Sequence, residues 1–471
     1  MRSQPMSPDR FRLTIVHPCV GRRVGMRDYI RTWQMEPLPA ASLAALAPSD
    51  AEVRFYDDRL EPIPFDEPTD LVALSVETYT AKRAYQIATE YRRRGVPVVM
   101  GGYHATLCPD EVQQHCESLV LGEAESVFPR LVDDFRHGRL QPSYRGSGGN
   151  GPSVRPDRGI YRGKDYLPIH LIEFARGCKF KCEFCAVQSF HDATHRPRDL
   201  DTVLGEVDEV RRSGRMIFFI DDNMTCNIDA AKEFMRALIP MKVRWVSQTA
   251  IHVAHDEEAL ALMKRSGCQG VLVGLESLDP TTLKTMNKGF NLMRGGASKA
   301  LENFRRAGLR VYGTFIFGYD QDTPQSIDDT VRFAREQTLF IAAFNHITPF
   351  PGTPLYERLR TEGRLLFDAW WLDSRYRYND IPFQPGRMGT GELADACVKA
   401  RRDFYSWPSI LQRSAHRVNY REPRMLFNFF LINYMHQRDV SGRNGLPLGD
   451  LNWPGTLLPC DRSLAHAQSG T

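Results

Sequence analysis

Short apolar runs at 13–17, 53–56, 71–76, 96–100 and 118–121 alternate with segments of helical spacing such as 80–94 and 126–135. The runs are nearly continuous rather than apolar at every second position, which is the pattern of strands buried on both faces. Strand and helix alternating in series predict a parallel sheet wrapped by helices, with ligands beyond the carboxyl ends of the strands. This α/β domain is expected over 1–137. A stretch rich in Gly and Pro, 138–163, carries no periodic apolar pattern and reads as a linker.

Beyond it the alternation resumes with a longer period. Strands are expected at 170–174, 216–220, 244–249, 270–274, 311–317 and 342–348. In the segment between the first two, Leu200, Val203, Leu204, Val207 and Val210 recur as one buried helix face. Six strand–helix units over 164–362 predict a partial barrel of the TIM type, whose chemistry sits at the C-terminal strand ends. From 363 to 471 the pattern gives way to a mainly helical region rich in Arg and aromatic residues, including Trp370, Trp371, Tyr376, Tyr378, Trp407 and Tyr434. It reads either as a cap over the barrel mouth or as an appendage that only adds core, and the last ~20 residues are expected to be disordered.

Composition narrows the picture. The 471 residues are 42% hydrophobic and 25% charged, with mean hydropathy −0.39, which is globular and excludes disorder and coiled coil. Lys plus Arg is 61 and Asp plus Glu 57, a net +4 too small to suggest nucleic acid or membrane as a partner. The first residues lack the apolar core of a signal peptide, and the apolar run 425–434 is too short to span a bilayer, so no integral membrane segment and a cytoplasmic location are expected. Of ten cysteines, seven are scattered singly and three fall within eight residues, which is no disulfide framework.

Those three form Ala175-Arg176-Gly177-Cys178-Lys179-Phe180-Lys181-Cys182-Glu183-Phe184-Cys185, a C-x3-C-x2-C spacing directly after the first barrel strand. Three soft thiolates on one loop can each take one iron of a cubane cluster. The fourth iron then has no protein ligand, and such an open position marks a catalytic metal site. The competing reading is structural zinc, with His191 or His195 as fourth ligand.

The segment, including Phe184 before the third cysteine, resembles the signature of the radical S-adenosylmethionine (SAM) superfamily. The resemblance implies a [4Fe-4S] cluster on Cys178, Cys182 and Cys185 whose unique iron chelates SAM, and a 5'-deoxyadenosyl radical released by one electron from a donor such as flavodoxin or ferredoxin. SAM contacts are expected from Phe184, Asp221, Ser247, Gln248 and Glu276, with Asp222 and Asn223 beside them. Each is otherwise a helix cap or a turn residue. Gly318 either serves a turn or admits substrate.

In the first domain, Ser75, then Gly101-Gly102 with His104, then Glu123 follow successive strands. Their order resembles the cobalamin-binding domain that precedes the barrel in one radical SAM class, which includes hopanoid methylases and the anaerobic cyclases and methylases of chlorophyll pathways; the likeness spans 10–360. It departs at 57–62, where Asp57-Asp58-Arg59 stands in place of a cobalt-ligating histidine motif. Arginine has no lone pair to give. Either cobalamin binds without a histidine from this position, or the domain has lost it. The resemblance implies methyl transfer to an unactivated carbon of a small molecule, with two SAM consumed per product. Cyclisation, oxidation, ring contraction and aminocarboxypropyl transfer remain open, as does methylthiolation with a second cluster on Cys19, Cys108 and Cys116. A corrin- or metal-binding regulator is the non-enzymatic reading. The aromatic, Arg-rich C-terminal region suggests a pocket for an apolar body with an acidic group.

Overall fold

Apolar runs in the N-terminal part become β1 (Arg12–His17), β2 (Glu52–Asp57), β3 (Leu71–Ser75), β4 (Val98–Gly101) and β5 (Ser118–Leu121), joined by a sixth strand, β6 (Ser143–Arg145). All pair in parallel, in the order β2-β1-β3-β4-β5-β6. The chain winds outward to β2 and then returns past β1 to β3. The order therefore reverses between β1 and β3, and a crevice opens at their carboxyl ends, where doubly wound sheets take ligands. The computed structural model describes residues 10–26, 29–149 and 153–460, so the end of the tail expected to be disordered lies outside the described residues.

The stretch expected to be a linker is corrected by this sheet. Ser143–Arg145 pairs with β5, and Tyr161 is buried with its hydroxyl donating to the Pro37 carbonyl at 3.0 Å. A strand three residues long has too little periodicity to stand out among glycines and prolines. The chain divides into two compact units, one of 1–29, 37–165 and 447–471 and the other of 30–36 and 166–446. The last segment joins the first unit because Gly449–Asp450 pairs with Gly21–Arg22.

In the second unit six parallel strands stand in sequence order: β7 (Ile169–Ile172), β8 (Met216–Phe219), β9 (Trp245–Thr249), β10 (Cys268–Glu276), β11 (Arg310–Phe317) and β12 (Ile341–His346). Neither edge pairs with the other, so the barrel is partial. Connecting helices begin where side chains cap them: Asp199, Asn227, Asp256 and Thr323 each accept the backbone N–H three residues on. Trp245, Phe219, Phe234 and Phe315 are fully buried in the common core, each side chain contributing about 1.5–3 kcal/mol.

The C-terminal region packs at both ends of the barrel. Trp370 and Trp371 are buried, with Trp370 Nε1 donating to the Pro349 carbonyl at 2.9 Å, beyond the carboxyl end of β12. The helices Trp407–Ser414 and Pro423–Arg443 instead meet Phe340 and Met216, where β12 and β8 begin. They close the bottom of the barrel, which corrects the reading of the whole region as a cap over its mouth; alternating apolar positions show that a helix is buried without showing against which end. Arg413 ties this floor together. It is fully buried, its guanidinium 3.8 Å from the Phe404 ring centre, donating to the carbonyls of Leu339 (3.0 Å) and Phe404 (3.0 Å) and to Asn433 Oδ1 (2.9 Å).

Arg413→Met would leave those acceptors buried without donors and lower stability by about 3 kcal/mol or more. Arg413→Lys, a single ammonium unable to span the fork, would recover only part of it. Urea unfolding midpoints of the two variants check this.

Candidate active site

The three cysteines lie on an excursion between β7 and the helix Leu200–Arg211. A two-stranded antiparallel ribbon, Ala175–Gly177 with His195–Pro197, closes its base. Gly177 makes that closure possible: its φ is +78°, and a side chain there would fall on the Thr194 carbonyl. Cys182 is buried while Cys178 and Cys185 are partly exposed. Burial pushes the Cys182 thiol up to about 12 and the Cys185 thiol up to about 11, so metal binding must displace their protons.

What aims this loop is a pair of carboxylates after β8. Asp221 Oδ1 accepts the backbone N–H groups of Phe174, at 2.8 Å, and of Ala175. Asp222 Oδ2 accepts that of Gly177 at 2.8 Å. Burial pushes Asp221 well up and Asp222 up to about 6. Farther along the loop, Glu183 pairs with Arg358 at 3.0 Å and its carbonyl accepts the Leu355 N–H at 3.0 Å. The loop is thus held at both ends before any metal is bound.

Glu276 ends β10 in the left-handed region, at φ +65°, beside a register shift in the strand. Its Oε1 meets Lys288 Nζ at 2.5 Å, and Lys288 also donates to the Gly274 carbonyl at 3.2 Å. A Cβ at Gly274 would fall on both charged groups, which explains the glycine. Burial alone would lower the Lys288 ammonium, but Glu276, Cys182 and Cys185 together raise it. Glu276 Oε2 is buried with no hydrogen-bond partner. An unused carboxylate oxygen beside a thiol loop fits a cationic or hydroxyl-bearing ligand.

The other expected contacts divide. Gln248 Nε2 donates to the Asp222 carbonyl at 2.9 Å and stays partly exposed. Ser247 is buried, its Oγ donating to the Phe219 carbonyl at 2.8 Å, so it ties β9 to β8. Phe184 leans on the barrel core. Gly318 has φ +107°, and a Cβ there would meet Leu393 and Phe383 side chains at 2.8 and 3.0 Å, so tight turning and side-chain contact account for it. Among the described residues no three His, Cys, Asp or Glu side chains converge on one metal ion.

In the first unit, Ser75 ends β3 at the crevice edge. Gly101 and Gly102 follow β4, yet a Cβ on Gly102 would meet Val76 N at 3.0 Å and Ser75 Oγ at 3.1 Å, and one on Gly101 would meet Val120 Cβ at 3.2 Å. Neighbouring protein already crowds a side chain at both positions. His104 is fully buried, with Nδ1 3.2 Å from Thr78 Oγ1 and Nε2 3.1 Å from Glu111 Oε1. Glu123 lies after β5 and is partly exposed. Arg59 is clamped on Asp57 through Nε (2.9 Å) and a second nitrogen (2.7 Å). The sequence reading passed over His17, which ends β1 in register with Asp57. Cys19 follows the carboxyl end of β1 and Cys116 precedes the amino end of β5, so they stand at opposite ends of the strands of a parallel sheet and cannot share a cluster.

A partial parallel barrel with an open three-thiol loop at its mouth, following a doubly wound sheet, is the architecture of an enzyme that couples an iron–sulfur centre to a small organic cofactor. Residues 172–334 match the Radical SAM superfamily. The bacteriochlorophyllide d C-12(1)-methyltransferase of Chlorobaculum tepidum is 31% identical over 389 residues, 80% of this chain and 84% of the relative. The hopanoid C-2 methylase of Rhodopseudomonas palustris is 26% identical over 357 residues, 71% of this chain and 66% of the relative. Among solved structures, the radical S-adenosylmethionine methyltransferase TsrM of Kitasatospora setae, with cobalamin and a [4Fe-4S] cluster bound, shares the fold at TM-score 0.61 and 17% identity, covering 92% of this chain and 99% of that one. The chain belongs to the radical SAM superfamily.

Three substitutions probe this geometry. Asp222→Ala frees the Gly177 N–H and is expected to weaken iron uptake about 10-fold, whereas Asp222→Asn, which still accepts, preserves it; iron bound at limiting supply is the readout. Gly274→Ala forces the Glu276–Lys288 pair apart and is expected to lower the melting temperature by the equivalent of about 1–3 kcal/mol. Burial, reinforced by Arg59, holds the His17 imidazole down at about 4 against an ordinary 6.5. The unfolded chain therefore takes up a proton that the folded one refuses, and the first unit loses up to about 3 kcal/mol as pH falls through that window. His17→Asn should flatten this dependence in hydrogen exchange of the β1 amides.

Proposed function

We propose that the protein is a cobalamin-dependent radical SAM methyltransferase acting on an unactivated carbon of a small-molecule substrate, supplied with electrons by a flavodoxin or ferredoxin in the cytoplasm. The observation that carries the reading is the loop of Cys178, Cys182 and Cys185, pinned by Asp221 and Asp222 at the carboxyl ends of the barrel strands. The 31% identity to a methyltransferase across most of both chains supports methyl transfer over other radical reactions. The fold of the first unit supports cobalamin, because the strand order reverses beside Ser75 and His17.

When bound, the cluster and SAM supply a hydrogen-abstracting radical, and cobalamin supplies the methyl group. The chain does the rest. Cys178, Cys182 and Cys185 hold the cluster, and Glu276, aligned by Lys288, offers its free Oε2 to SAM. Gln248, near the end of β9, and Phe184, in the loop itself, are further side chains proposed to contact SAM. Arg59, clamped on Asp57, has no lone pair to give, so its side chain would offer a corrin no cobalt ligand.

Anaerobic reconstitution with iron, sulfide and hydroxocobalamin, followed by reduction with SAM, tests the reading. The expected products are 5'-deoxyadenosine and S-adenosylhomocysteine, with both lost in Cys182→Ala. Bacteriochlorophyllide d and a hopanoid, the substrates named for the relatives, are the first to assay. Failure to form any SAM fragment would defeat the radical reading. Turnover without bound corrin would defeat the cobalamin part alone.

A further inference from the structure

Six of the thirteen large apolar side chains left exposed among the described residues fall between 407 and 434: Trp407, Leu411, Tyr420, Phe427, Leu431 and Tyr434. Scattered singly they would need no explanation, but a cluster marks a contact. Three of them form a row. In the helix Pro423–Arg443, Phe427, Leu431 and Tyr434 follow at intervals of four and three, with Arg424 three residues before and Arg438 four after, so all five share one face over about 21 Å. The opposite face carries Met425, Phe429 and Asn433, buried against the barrel floor. That buried face already seats the helix, so packing gives the outer row, where Phe427 is 66% exposed, no partner within the floor.

Charge decides what the row can meet. Between 405 and 438 the chain has five arginines and one acidic residue, Glu422, although the two signs nearly balance over the whole sequence. Arg413 is buried in the floor. Arg417, Arg421, Arg424 and Arg438 are exposed, and none pairs with a carboxylate among the described residues. Glu422 turns instead to Lys264 at 3.5 Å and Arg310 at 3.8 Å. We propose that this face of the barrel floor is a peripheral docking surface for an anionic phospholipid bilayer. Phe427 and Leu431 enter the boundary between headgroups and acyl chains, Tyr434 keeps its hydroxyl among the headgroups, and the flanking arginines reach the lipid phosphates. A second copy of this chain fits less well, because a two-fold contact would set unpaired arginines against unpaired arginines. Nucleic acid offers phosphates but no apolar layer for Leu411, Phe427 and Leu431. Docking by the floor leaves the thiol loop, at the carboxyl ends of the strands, open to solvent.

The test mixes full-length protein with sedimenting vesicles of phosphatidylcholine alone, or of phosphatidylcholine with phosphatidylglycerol as about one lipid in three. Wild type is expected to bind the mixed vesicles about tenfold more tightly than the neutral ones, and less tightly as salt rises. Phe427→Ser combined with Leu431→Ser is expected to weaken binding about 20-fold while keeping the salt dependence. Arg424→Gln combined with Arg438→Gln should weaken it by about the same factor and flatten that dependence. All four positions are exposed, so melting temperatures should stay close to wild type. Phe427→Trp, which keeps the apolar surface, should bind like wild type, and bromine-labelled acyl chains should quench its added fluorescence. No binding to mixed vesicles, or equal binding by wild type and both double variants, would overturn the proposal. Binding that persists without quenching at position 427 overturns it too, since the lipid contact then lies elsewhere. A lipid-free wild-type dimer that Phe427→Ser with Leu431→Ser dissolves would assign the row to a second copy, and tighter binding to duplex DNA than to mixed vesicles would assign it to nucleic acid; either result sinks the bilayer.

Discussion

The acceptance of three backbone N–H groups by two consecutive carboxylates is the constraint on which the rest of the site depends. Asp221 and Asp222 follow one strand and take the amides of Phe174, Ala175 and Gly177, which lead from the neighbouring strand into the thiol loop. Phe180 and Phe184 pack the loop against Phe290 and the barrel core, while the direction in which it leaves β7 is set by these directional hydrogen bonds. The paired strands β7 and β8, from whose carboxyl ends the loop and its anchors emerge, give those bonds a rigid base. Burying carboxylates is costly, and the backbone amides they receive are what offsets it.

The fold was legible because its signals are local. Five runs in the first domain and six in the barrel fall within a few residues of the strands, since a strand buried on both faces must be apolar throughout. What escaped was short or long-range. β6 has three residues among glycines, and the segment from Gly449 belongs to the first unit through pairing with a strand more than four hundred positions away. The destination of the helices after Trp407 was likewise hidden, because amphipathicity marks a buried face and not its neighbour.

The site divides along the same line. The cysteine triad is a spacing motif and could be read directly. Glu276 was legible as a polar residue at a strand end, but Lys288 was not: the salt bridge spans a helix and a turn, and its one trace in sequence is Gly274, a glycine in a strand whose need appears only when the charged groups are placed. Ser247, Gly102 and His104 stand at or just beyond strand ends as expected, and the folded chain shows protein neighbours at each that the sequence does not reveal. Only the hydrogen-bond accounting of the folded chain separates a satisfied polar group from a waiting one.

The position of Arg413 at the amino ends of the strands has one more consequence. The barrel keeps its stabilising knot and its reactive loop at opposite ends, separated by the length of the strands and sharing no side-chain partner. Free-energy changes at such remote positions add rather than interact. Substitutions that strengthen the floor can therefore be combined with substitutions that reshape the mouth, and the sum of their separate effects forecasts the combination. A chain built this way can drift in what it recognises without renegotiating how firmly it folds.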